Sequence, residues 1–143
     1  MPDTFKLVTI FKVATANIRD VLFEGEVGNF GGMSDNLKIP LSNSYKEYDM
    51  LGFYTTINNG SNILFYREIP IELLETLTAN STSIISFCYG YSSTDDFINF
   101  VNTSTDTELI INVRKTLLTK IVGIKYVNVG TLINNTREVT NND

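Results

Sequence analysis

Apolar residues alternate with polar ones at a period of two along most of this chain, and turn-forming clusters cut the alternation into short runs. An extended strand points successive side chains to opposite faces, so this period buries one face and wets the other. Leu37, Ile39 and Leu41 alternate with Lys38 and Pro40, while Val21, Phe23 and Val27 oppose Asp20, Glu24 and Glu26. Nine such runs are legible, at residues 5–13, 20–27, 37–41, 48–57, 63–69, 83–90, 96–102, 107–113 and 119–129. The glycine-rich residues 28–32 read as a loop, as do the polar residues 42–47, 91–95 and 103–106. Asn58-Asn59-Gly60-Ser61-Asn62 is the strongest hairpin signal. Residues 71–78 are the one plausible helical turn or two. The 17 Thr, 7 Tyr and 9 Phe suit a pleated, half-buried surface, and the 16 Asn suit its turns. The pattern predicts an all-β chain: an antiparallel β-sandwich, jelly-roll-like, of about nine short strands.

Inward positions of the alternation give an expected core of Leu22, Phe23, Leu37, Ile39, Leu41, Leu51, Phe53, Ile85, Phe87, Leu109, Ile111, Val113, Ile121 and Ile124. The 143 residues suffice for one domain, expected over 1–133, with 134–143 as a polar tail. Residues 110–113 and 121–124 are apolar on both faces, which predicts an oligomer covering what one sandwich cannot.

Several functions fall away on composition. With no His, His-based triads and imidazole acid–base chemistry are excluded, and a single Cys88 excludes CxxC zinc or redox sites. A net charge of −5 argues against nucleic acid held on a broad basic face. No apolar run nears the ~18 residues of a membrane span, so membrane insertion is not expected. Met1-Pro2-Asp3-Thr4 lacks the basic and apolar regions of a signal peptide.

Candidate chemistry is sparse. Residues 25–32 look like a phosphate loop but lack the Gly-Lys-[Ser/Thr] ending and a following helix. Glu24 and Glu26 share a strand face, and a solvated face explains them without glycosidase chemistry. Asp95-Asp96 has no calcium-loop spacing, and Ser92-Ser93 has no nucleophile elbow. No catalytic residue, metal site or cofactor is expected. A binding surface is expected on loops at one end of the scaffold. Its residues are Asn58, Asn59 and Asn62 at the hairpin tip, with Tyr91, Asp95 and Asp96 on the second loop. Tyrosine stacking beside carboxylates suits a neutral or amine-bearing glycan.

Leu22-Phe23-Glu24-Gly25, Ile39-Pro40-Leu41-Ser42 and Tyr48-Asp49-Met50-Leu51 form a series of strand-end motifs. With the closing strands at 108–113 and 120–126, this series resembles the small β-sandwich modules of bacteriophage tail-fibre and receptor-binding proteins. The resemblance covers roughly residues 18–130, with Phe23 where a Trp is common. It implies a non-enzymatic virion protein, made in the host cytoplasm, that attaches to a host-surface glycan or protein. Its expected partners are other virion proteins and two copies of itself, as a homotrimer. The alternative is a purely structural capsid, head-fibre or tail decoration subunit. Asp49 is expected to serve the fold, capping a turn or pairing across strands.

Overall fold

The computed structural model describes residues 16–58, 62–77, 83–88 and 96–127. The chain divides into two compact units, Met1–Ile18 with Lys125–Asp143, and Arg19–Ile124. The first contributes only residues 16–18 and 125–127 to the described set. The second holds the whole buried core. The elements of the described residues are β1 (Ala16–Pro40), β2 (Met50–Asn58), β3 (Asn62–Pro70), one helical turn α1 (Ile71–Leu74), β4 (Ile85–Cys88), β5 (Phe97–Thr105) and β6 (Glu108–Val127). A single 3-10 turn, Tyr45–Glu47, precedes β2, with the Ser44 hydroxyl accepting from the Lys46 amide. All-β is therefore the observed class. The strands form one sheet, ordered β3-β2-β6-β5-β4, with β1 also paired to β6.

Six strands stand among the described residues where nine runs alternate in the sequence. The run at 5–13 lies outside the described residues. The other difference is that two expected gaps are bends, not breaks. β1 is continuous, yet the Ser42 amide donates to the Leu22 carbonyl at 2.8 Å. Twenty residues of straight strand would separate those groups by about 66 Å. Asn29 likewise reaches Met33 O at 3.3 Å and Ser34 Oγ at 3.1 Å. β1 thus doubles back on itself, with the glycine-rich segment at its apex. The loop expected at 28–32 is this turn, held within a continuous strand. One glycine there is obligatory: Gly28 has φ +147°, and a Cβ would collide with the Thr116 carbonyl and meet Leu117 Cα at 3.0 Å.

β6 merges the last two expected strands by slipping phase twice. Leu109, Ile111 and Val113 face the core; then Thr116 and Leu118 are buried; then Ile121. The first slip falls at Lys115, whose φ of +50° turns the strand by one residue. The second falls at Thr119, where the β2–β6 register shifts between Tyr54 and Thr55. Thr119 is left over, and its hydroxyl donates to the Tyr54 carbonyl at 3.2 Å. β2 pairs with β6 from Met50↔Ile124 to Ile57↔Thr116, and β5 pairs with it from Phe97↔Arg114 onward. The bends curl the sheet until Phe53 of β2 meets Phe100 of β5, ring centroids 4.6 Å apart. Phe87 closes the group at 6.0 and 5.4 Å.

Eleven of the fourteen expected core residues are buried, and Phe23, Leu37 and Ile85 pack against the core from its edge. Tyr45 and Tyr48 join it, as expected of tyrosines with core or rim places, and Ile69, Ile71, Leu74, Leu77, Ile98, Phe100 and Leu118 join it beyond the expected set. Residues 121–124 need no second copy to cover them. Ile121, Val122 and Ile124 are all buried within the chain, and the Tyr48 ring lies where a Gly123 Cβ would stand, 2.7 Å away. Asp49 serves the fold through its backbone, donating to Ile124 O and accepting from the Ile71 amide.

Candidate functional site

The two strands that lead into the expected binding tip are paired antiparallel. Asn58 and Asn62 are the last register pair of β2 and β3, and Asn62 is exposed. Asn59, Tyr91 and Asp95 lie outside the described residues. Asp96 is half-buried directly before β5. The fold brings the two loop bases to one stretch of β6, because Ile57 pairs with Thr116 and Phe97 with Arg114. Exposed Lys115 lies between those two positions. Glu24 and Glu26 are both exposed on β1. Among the described residues no three acidic or cysteine side chains converge in a way that could hold a metal ion.

The best-organised surface lies elsewhere, on the solvent face of β2, β3 and β6. Tyr54 and Tyr66 are opposite residues in the β2–β3 register, and their rings stack at 4.7 Å with a 54° tilt. Both are solvent-accessible, at 36% and 39%. The close pairing of two aromatic side chains across strands contributes about 0.5–1.5 kcal/mol beyond area burial. Gly52, two residues before Tyr54, makes room for the Tyr66 ring; a Cβ there would collide with its hydroxyl. Leu64, 77% exposed, lies two residues before Tyr66 on the same strand face.

Charged groups fix the rings. The Tyr66 hydroxyl donates to Glu68 Oε1 at 2.7 Å and accepts from Arg19 Nη1 at 3.2 Å. Arg19 Nη2 also lies 3.5 Å from Glu68 Oε1, and the guanidinium carbon is 5.9 Å from the Tyr66 centroid. Lys120, the β6 partner of Tyr54, holds its Nζ 5.5 Å over the Tyr54 ring. At a solvent-exposed surface such cation–ring contacts orient the rings more than they stabilise the fold. Burial raises the Tyr66 pKa above the usual phenol value, and the bond to Glu68 adds to it, while Arg19 works the other way. The hydroxyl is therefore a neutral donor and acceptor at neutral pH.

Part of this surface is readable from the sequence. A hairpin centred on Gly60 pairs Tyr54 with Tyr66, and inward Phe53 sends Tyr54 outward. Arg19 and Lys120 arrive from strands distant in sequence, which no local pattern reveals. No family model matches this chain. No curated protein matches it in sequence either.

Proposed function

We propose that the chain is a non-enzymatic bacteriophage virion protein, a fibre or tip module attaching the particle to a host-surface glycan or protein. The observation that carries the reading is the exposed Tyr54–Tyr66 pair, already oriented by Arg19, Glu68 and Lys120. A ligand meeting side chains that are already fixed has less ordering entropy to overcome. Aromatic faces stack on sugars or side chains while neighbouring polar groups bond hydroxyls. The strand-end motifs support the family assignment. The finer architecture belongs to the same proposal: the curled sheet is the larger part of a jelly-roll-like sandwich, an arrangement supported by the meeting of Phe53 with Phe100. The protein works in the virion as a homotrimer among other virion proteins, without cofactor, nucleic acid or membrane insertion.

Labelled chain titrated onto cells of the strain that supports the virion tests this reading. Saturable adsorption is expected, weakened at least tenfold by Tyr66→Ala in a chain that still unfolds cooperatively, its melting temperature lowered by a few degrees for the lost ring contact. Absence of adsorption by the intact chain overturns it and favours the decoration subunit.

A further inference from the structure

We infer that the Tyr54–Tyr66 face takes an acidic glycan, one bearing a carboxylate on its sugar ring, in preference to a neutral one. This rests on the receptor-binding reading and adds the charge class of the ligand. Two cations bracket the rings, Arg19 over Tyr66 and Lys120 over Tyr54. The carboxylate of Glu68 is engaged by the Tyr66 hydroxyl and by Arg19, so its charge is matched inside the group. The ammonium of Lys120 is set against a ring. The group of Arg19, Lys120 and Glu68 therefore carries a net charge of +1 on a chain whose total is −5.

That charge sits in the right place for one ligand shape. A pyranose carries an apolar C–H face, which stacks on a tyrosine, and a hexuronic acid carries its carboxylate at the ring edge. With the sugar on the exposed part of the rings, the edge carboxylate comes toward Lys120, whose charge Glu68 does not match because Glu68 is paired with Arg19. A neutral sugar makes the stacking contact and leaves Lys120 to water. The loop carboxylates Asp95 and Asp96 suggest a neutral or amine-bearing glycan; the charge of this face selects the opposite class. Because the pair forms at a solvent-exposed surface, its effect is modest and salt-dependent.

The test is an array of hexuronate-containing and sialylated oligosaccharides printed beside their carboxyl-reduced forms, probed with the full chain at low and high salt. At low salt, acidic members should bind at least fivefold tighter than their reduced forms. High salt should shrink this preference, Lys120→Gln should abolish it, and Lys120→Arg should restore it. Equal binding of acidic and reduced sugars, or an unchanged preference in Lys120→Gln, overturns the inference. Cell adsorption measured in parallel separates the two levels. A chain that adsorbs to cells yet binds no acidic member refutes the ligand class alone. A chain that does neither refutes the receptor reading as well.

Discussion

Tyr48 shows how one side chain can be both core and polar anchor. Its ring is buried against Gly123, while its hydroxyl donates to Asp20 Oδ2 at 2.9 Å and accepts from Asn43 Nδ2 at 3.4 Å. Tyr48→Phe keeps the ring and removes both bonds, so chemical denaturation should show a loss of about 1–1.5 kcal/mol. Burial raises the Tyr48 pKa, with Asn43 opposing and Asp20 reinforcing the shift, and Tyr66 is raised as well. A raised phenol pKa means that the folded chain holds its proton longer than the unfolded one. The resulting stability is fully present below the unfolded value of about 10 and is lost as pH rises through the folded value. Melting temperature should therefore fall as pH rises above about 10, less steeply in Tyr48→Phe than in the parent. The sequence marks Tyr48 as aromatic at a strand start. A core or rim place with a satisfied hydroxyl is the ordinary expectation for such a tyrosine, and it holds; the partners Asp20, Asn43 and Gly123 are fixed only by folding, so they were not legible.

β6 is the element on which the sheet depends, since β1, β2 and β5 all pair with it. Its two phase slips let a 20-residue strand curl around a core instead of running flat. Lys115 supplies the first slip at φ +50°, a conformation that costs a side-chain-bearing residue about 1 kcal/mol and glycine little. Glycine in a strand interior normally weakens it; here Lys115→Gly should raise stability by about 0.5–1 kcal/mol, read from a denaturant midpoint. Gly28 answers in the opposite direction. Its positive φ and the Thr116 carbonyl leave no room for Cβ, so Gly28→Ala should cost about 1–3 kcal/mol. These elements also mark how far alternation reaches. Leu109, Ile111 and Val113 announce their strand, and Ile121 announces another. Nothing in residues 114–120 reveals that the backbone pairing continues between them. A change of face looks the same in sequence whether the strand ends or bulges. That ambiguity turned six continuous strands into a reading of nine short ones, with the run at 5–13 making up the difference.

Assembly is the question the whole chain poses. The sequence argues for an oligomer because residues 110–113 and 121–124 are apolar on both faces, yet the chain buries Ile111, Val113, Ile121, Val122 and Ile124 by itself and leaves Ile110 half-buried. The proposed homotrimer therefore gains nothing from residues 121–124, and Leu64, Met33 and Ile84 are among the large apolar side chains left exposed. Leu64 is the instructive one, because it shares a strand face with Tyr66. Tyrosine, arginine and apolar residues also dominate subunit interfaces, so one patch cannot be assigned to receptor and neighbour at once. The two roles predict different outcomes for the same variants. If the platform faces the receptor, Tyr66→Ala and Lys120→Gln should weaken cell adsorption while sedimentation at micromolar concentration still shows three chains of 16.1 kDa. Leu64→Glu should then also leave the trimer intact. A stable monomer of the unmodified chain would remove the trimer. If Tyr66→Ala instead dissociates the trimer, Tyr54 and Tyr66 belong to the contact between subunits, and the receptor must be met by another part of the surface.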